Sequence, residues 1–256
     1  MNHQNASLSH IDINCDLGEG ETMADCEKEA LLMPFISSCN IACGGHAGNE
    51  VTMKTSISNA IKHQLKVGAH PGYPDKTNFG RVSISITLEN LIESLKQQID
   101  RISAIAEKSN IRLNHIKFHG ALYNDIESDK ILAEKLAGFC KKKYPSTKLL
   151  GLADGNLKAA CKKFEIDFIA EGFMDRAYLF SGKLSPRSIK GSVFENKNKV
   201  IAQAIALATH QTIKTIDHQK VKPQVDSVCL HGDNSNALTI AQSVYLAMPT
   251  AGIQIK

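Results

Sequence analysis

With 256 residues, 43% hydrophobic and 22% charged, the chain is long enough to bury a large core in one α/β barrel or in two smaller domains. Thirty basic residues against 26 acidic ones leave a charge of +4, and the lysines lie scattered over helix-like stretches such as Lys141-Lys142-Lys143 without interleaved aromatics, which argues against a nucleic-acid partner. The seven cysteines are an odd number with no CxxC pair, several of them inside apolar runs, and read as reduced thiols; no segment has the apolar length of a signal peptide or a bilayer span, so a cytoplasmic protein without a membrane partner is expected.

Residues 1–10 read as a polar leader and residues 11–256 as one domain. Ile11 to Cys15 begins the first strand, an acid-rich segment leads into a helix from Asp25 to Met33, and Ile36 to Cys43 is a second strand followed by a helix from about Glu50 to His63. Lys66 to His70 is a short strand stopped by Pro71, and the Pro/Gly-rich loop Pro71 to Arg81 is long enough to be functional. Thr87 caps the longest helix, which runs to Ser109 with Leu88, Leu91, Leu95, Ile99, Ile102 and Ile105 at helical spacing. Strands at Leu113 to Phe118, Lys148 to Leu152 and Phe168 to Glu171 then alternate with helices at Ser128 to Lys143 and Asn156 to Lys163. After a polar loop from Arg187 to Ser192 come a helix at Lys197 to Thr209, a small hairpin at Ile213 to Val221, a last strand at Ser227 to Leu230 and a closing helix at Asn236 to Met248. Alternation of this kind means a parallel sheet with helical crossovers, and about seven βα units without a linker fit a single closed or nearly closed barrel.

Five apolar runs end in a histidine or an acid beside glycine: Asn14-Cys15-Asp16-Leu17-Gly18-Glu19-Gly20, Cys43-Gly44-Gly45-His46, Gly68-Ala69-His70-Pro71-Gly72, Lys117-Phe118-His119-Gly120 and Cys229-Leu230-His231-Gly232-Asp233. Polar groups at the C-terminal ends of parallel strands converge on one face, so these segments predict one site assembled from the whole chain. Asp16 is a candidate metal ligand or general base, with helix capping as its structural alternative, and Asn14 shares its side of the strand. His46 and His70 would join Asp16 at the rim, and one carboxylate with two imidazoles is a common set for a catalytic divalent metal, direct acid/base work being the other reading. His119 and Tyr123, four apart, could polarise a carbonyl or pass a proton. Asp175 and Arg176 follow another strand, where an Arg suits a carboxylate or phosphoryl ligand; Arg81 and Arg187 are further anion-binding candidates, and His231 with Asp233 is a last acid/base couple. Cys43 reads as a buried thiol rather than a nucleophile. No GxxxxGK[ST], GxGxxG or GxSxG is present, so the usual sequence machinery for a nucleotide, a dinucleotide or an acyl-enzyme is missing.

Together with Asn40-Ile41-Ala42-Cys43-Gly44-Gly45-His46-Ala47-Gly48, Asn78-Phe79-Gly80-Arg81 and His119-Gly120-Ala121-Leu122-Tyr123-Asn124, these segments closely resemble the LamB/YcsF family, the A subunits of 5-oxoprolinase, in order from Ile11 to the C-terminus. Asn49 stands where the family usually has Asp, and Phe118 where a Pro often precedes His-Gly. The resemblance implies a seven-stranded, TIM-like (β/α) barrel similar to the glycoside hydrolase/deacetylase barrels. It also implies ATP-dependent opening of the lactam of 5-oxo-L-proline (pyroglutamate) to L-glutamate, with separate B and C subunits. In that setting Asp16, His46 and His70 form a water-activating or metal-binding cluster, His119 with Asp175 or His231 carries protons, and Arg176 holds the substrate carboxylate or a phosphoryl group. ATP is handled by this chain or by its partners, and the metal and the oligomeric state stay open. The alternatives are a stand-alone metal-dependent deacetylase or amidohydrolase of the same barrel type, and a non-catalytic ligand-binding subunit.

Overall fold

A computed structural model describes residues 9–232 and 236–256. The chain order is β1 (Ser9–Leu17), α1 (Met23–Glu29), β2 (Ser38–Ala42), α2 (Glu50–Lys62), β3 (Lys66–His70), α3 (Leu88–Lys108), β4 (His115–Lys117), α4 (Gly120–Ser128) and α5 (Lys130–Lys143). It continues with β5 (Lys148–Leu152), α6 (Asn156–Lys163), β6 (Phe168–Phe173), α7 (Lys197–Ala208), β7 (Ile213–Lys214), β8 (Lys220–Val221), β9 (Ser227–Leu230), α8 (Ala237–Thr250) and β10 (Ile253–Ile255). Strands β1 to β6 pair in sequence order, all parallel, β9 pairs with β6, and β9 pairs again with β1 to close a seven-stranded barrel. This is the expected (β/α) barrel, ringed by the crossover helices. β7 and β8 form the expected antiparallel hairpin outside it. No helix among the described residues is long and apolar enough to cross a membrane.

The two faces of β1 explain the layering. Ile11, Ile13, Cys15 and Leu17 are buried in the hydrophobic core, whereas Asp12, Asn14 and Asp16 share the other face and find polar partners on β2, β4 and β9. Ser38 donates to Asp12 at 2.7 Å and Asn14 donates to Ser227 at 2.8 Å, so a hydrogen-bonded polar column runs through the barrel. Polar groups so far from water need such pairing. Outside, α3 buries Leu91, Leu95, Ile99, Ile102 and Ile105, each large side chain contributing roughly 1.5–3 kcal/mol; Thr87 caps it, as its sequence predicts.

Four departures from the sequence expectations have local causes. The first helix starts at Met23, where Thr22 and Asp25 make a reciprocal capping box, and turns into a 3-10 helix at Ala30–Phe35, since Pro34 has no N–H to continue the α pattern. The helix expected at Ser128 to Lys143 is α5, which starts at Lys130 because Asp129 ends α4 and caps α5 by accepting from the Ile131 and Leu132 N–H groups. That leaves α4, Gly120–Ser128, as an element the periodicity did not delimit. β10 was also unforeseen; it pairs parallel with the start of β1, Ser9 opposite Ile253 and Ile11 opposite Ile255, which places Ser9 and His10 within a strand.

Candidate active site

The C-terminal ends of the barrel strands open into a cavity of about 480 Å³. Asp16, His70, Lys117, His119, Tyr123, Arg176 and His231 line it, with Glu19, Arg81 and Arg187. Three histidines cluster at one side, His70 and His119 at the cavity wall and His46 buried behind them. His46 and His119 stack in parallel with ring centres 3.5 Å apart, and His70 meets both edge-on. The loop expected to be functional wraps them: the Phe79 carbonyl accepts from His119 Nε2 at 2.9 Å, and a Cβ on Gly80, at φ +61°, would lie 2.7 Å from the His46 Cβ. Glycine is required there by both the backbone angle and the space.

Hydrogen bonds set the proton positions. His70 Nδ1 lies 2.8 Å from the Lys117 carbonyl and therefore carries hydrogen, as does His119 Nε2 against Phe79. The remaining nitrogens, His70 Nε2 and His119 Nδ1, face each other 3.0 Å apart. Two lone pairs cannot share that distance, so a proton or a cation must mediate between them. Glu19 Oε1 approaches His46 Nε2 at 3.2 Å and His119 Nδ1 at 3.6 Å, while His46 Nδ1 is buried without a hydrogen-bond partner. Among the described residues, Glu19, His46, His70 and His119 each bring a ligand-type atom within 4.8 Å of the others. Burial and the charge of His70 hold His46 well below the usual imidazole range; burial with the neighbouring His70 and His46 takes His119 down to about 3. The neutral imidazoles of His46 and His119, one of them with an unpartnered ring nitrogen, and a carboxylate are donors a divalent cation takes, and His70 joins them on releasing its proton, so these residues fit such an ion.

Asp16 is not a helix cap. Its Oδ1 accepts from Asn40 at 2.7 Å and Lys117 at 3.0 Å, and its Oδ2 lies 3.4 Å from His70 Nε2. Burial would raise the Asp16 pKa, but His70 and Lys117 outweigh it and hold the carboxyl well below the usual range. Burial likewise opposes the His70 charge, and Asp16 reverses that, leaving His70 raised. A second couple stands beside Phe173, where His231 Nδ1 lies 2.9 Å from both Asp175 oxygens and the ring stacks on Phe173. Nδ1 must donate to that carboxylate, which frees Nε2 for the cavity.

Other expected residues fall into different places. Tyr123 lines the cavity and donates to Glu171 at 3.0 Å. Asn14 sits beneath Asp16, fully buried, its Oδ1 accepting from Asn40 at 2.8 Å and Lys117 at 3.2 Å. Arg176 is largely buried and donates to the Ser185 carbonyl at 2.6 Å and the Ser192 carbonyl at 3.3 Å, which pins the segment carrying Arg187 to the cavity. Arg81 lies over the Phe79 ring at 5.0 Å. Asp233 lies outside the described residues. Asn49, the departure from Asp, caps α2 by accepting from Val51 at 2.9 Å and Thr52 at 3.1 Å, a role either residue performs. Cys43 is buried, and burial pushes its thiol up to about 12, as an inert core cysteine requires. Lys117 and Glu171 had no assigned role in the sequence pattern; the alternation Lys117-Phe118-His119 and the acid ending Phe168 to Glu171 are the signals that point to them.

Comparison with known proteins gives one consistent result. The model of the LamB/YcsF family matches residues 11–256. The chain is 32% identical over 249 residues to the A subunit of 5-oxoprolinase from Tolumonas auensis, covering 97% of this chain and 99% of that one. It is 34% identical over 243 residues to the protein of the same name from Bacillus cytotoxicus, covering 95% and 96%. A solved lactam utilization protein from Thermus thermophilus superposes with a TM-score of 0.90 at 30% identity, covering 96% of this chain and 99% of that one. At 14% identity and a TM-score of 0.61, with 98% and 97% covered, a putative cellobiose-phosphate cleavage protein from Enterococcus faecalis shares the fold.

Proposed function

The chain belongs to the LamB/YcsF family, and on that premise we propose that it hydrolyses the lactam C–N bond of 5-oxo-L-proline to give L-glutamate, as the A component of an ATP-dependent 5-oxoprolinase with separate B and C subunits. The observation that carries this reading is one cavity furnished with both a carboxylate-histidine cluster and the separate Asp175–His231 couple. Lactam hydrolysis needs those two functions, a group that deprotonates water and a group that protonates the departing nitrogen.

An amide carbon is a poor electrophile. In the proposed sequence ATP gives its γ-phosphoryl group to the lactam oxygen on the partner subunits and leaves as ADP, which agrees with a chain lacking GxxxxGK[ST]. Water then adds to the activated carbon, and the ionised Asp16 carboxylate beside His70 takes its proton. The C–N bond breaks as His231, oriented by Asp175, delivers a proton to the nitrogen. A second water converts the acyl phosphate to the carboxylate and phosphate. Tyr123, tied to Glu171, orients the substrate, and Arg187 and Arg81 at the cavity meet its carboxylate or phosphoryl charge. Arg176 also lines the cavity, its guanidinium held in place by the Ser185 and Ser192 carbonyls, and joins them in that role. Glu19, His46, His70 and His119 would hold a divalent cation, which supplies Lewis acidity for activating water. Seven free, buried cysteines suit a reducing cytoplasm.

The His46→Ala variant in the complete assembly tests the reading: glutamate release is abolished while the melting transition persists, and near-normal release contradicts it. The Glu19-histidine group also favours a second reading, a metal-dependent amide hydrolase that needs neither ATP nor partners. Activity of the isolated chain without ATP is its distinguishing result.

A further inference from the structure

Beneath the cavity floor lies a cation that the proposed chemistry does not use. Lys117, the last residue of β4, is 3% exposed, and its ammonium stands 3.0 Å from Asp16 Oδ1, 2.8 Å from Glu171 Oε1, 3.2 Å from Asn14 Oδ1 and 3.3 Å from Cys229 Sγ. An ammonium has three hydrogens to give. Acceptors on β1, β6 and β9 already surround them, so no donor remains for a substrate, although the residue borders the cavity. The two carboxylates it joins face different parts of the site. Asp16 turns its other oxygen toward His70 at 3.4 Å, and Glu171 receives the Tyr123 hydroxyl at 3.0 Å.

We infer that Lys117 is a positioning residue: it clamps Asp16 against His70 and Glu171 against Tyr123, so that the histidine side and the tyrosine side of the cavity keep a fixed separation. A lysine suits this place because a compact charge on a long stem can cross the barrel from β4 and bind acceptors lying in different directions, which the planar fork of arginine cannot reproduce. Asn40 Nδ2, 2.7 Å from the same Asp16 oxygen, is a neutral bond that leaves the carboxylate free to swing once the ammonium is gone.

A buried lysine between two carboxylates also balances charge, and that simpler role has to be separated from positioning. Lys117→Met alone leaves two buried anions without their cation, and such a chain can fail to fold. Combining it with Glu171→Gln removes one anion together with the cation, while the Gln oxygen still accepts from Tyr123. If charge balance is the whole role, the double variant regains activity to within threefold of the wild type and Asp16 keeps its place in a crystal structure; either result overturns the inference. Positioning predicts a double variant that melts within a few degrees of the wild type, has a kcat lowered at least 100-fold with KM changed less than fivefold, and shows the Asp16 carboxylate turned from His70. The kinetic arm rests on the proposed lactam hydrolysis. Its failure is distinguishable, because a wild-type assembly that releases no glutamate refutes that function, whereas the Asp16 conformation in the double variant decides the role of Lys117 without any turnover.

Discussion

Asp175→Asn isolates the contribution of the second acid/base couple. The Asp175 carboxylate is buried, 1% exposed, and both its oxygens lie 2.9 Å from His231 Nδ1. Burial alone would raise its pKa, yet His231 and the neighbouring Arg176 hold the carboxyl below its ordinary range, so it is ionised at neutral pH. Asparagine keeps the shape but exchanges an anion for an amide with one acceptor. A hydrogen bond to a charged group contributes about 1.5–3 kcal/mol. At about 1.4 kcal/mol per tenfold change, its loss in the transition state slows turnover by about 10- to 150-fold. An amide NH2 facing the ring also makes Nδ1 an acceptor and so disfavours the doubly protonated imidazolium, the form that gives its Nε2 proton to the leaving nitrogen. The expected kcat for 5-oxoproline hydrolysis in the complete assembly is therefore reduced about 100-fold, with KM within threefold and a melting temperature near that of the wild type. A kcat within threefold of the wild type in a fully folded variant refutes the role given to the couple.

Zinc titrated into the purified chain in a calorimeter should bind at one site, and Glu19→Gln or His119→Ala should weaken it by at least about tenfold; absence of stoichiometric binding by the wild type removes the cation from the account. Gln98→Ala strips both bonds from the loop after β3, since Gln98 accepts from the Gly72 N–H at 3.0 Å and donates to its carbonyl at 2.9 Å. Two orphaned backbone groups cost about 2–6 kcal/mol, seen as a fall of about 4–24 °C in melting temperature; an unchanged melting temperature contradicts this. Glu127 caps α6 through the Asn156 N–H, and burial raises its carboxyl to about 7. The folded chain therefore holds that proton above the pH where the unfolded chain releases it, so the wild type loses stability as pH rises from about 4.5 through 7. Glu127→Gln keeps an acceptor without the charge and should gain on the wild type by up to about 3 kcal/mol by pH 8. A stability difference that is flat from pH 5 to 8 denies that burial cost.

The barrel was legible because five of its seven strands lead into a histidine or an acid beside glycine. Asp16, His70 and His231 are spaced by crossover helices, and parallel pairing brings such residues to one rim whatever the details of each loop. His46 and His119 joined them for the same reason. Glu19 was visible only as a second acid on a glycine-flanked turn; its approach to His46 depends on Glu29, whose carboxylate accepts from the Gly18 and Glu19 N–H groups and folds that turn back. An arginine after a strand looks alike whether it binds an anion or a neighbouring carbonyl, so the bonds of Arg176 to the Ser185 and Ser192 carbonyls could not be foreseen. The polar barrel interior was hidden by the same ambiguity: Asp12, Asn14, Lys117 and Glu171 alternate with apolar residues as solvent-facing positions do, and only barrel closure turns that face inward. β10 is three residues long and takes its register from the start of β1, a pairing across the length of the chain that no local pattern encodes.

The most direct test is glutamate release from 5-oxo-L-proline by the purified chain, measured with and without ATP and the B and C subunits. Release only in the complete mixture is the predicted result. Release by the chain alone without ATP, or none from a verified and fully assembled mixture, contradicts the account.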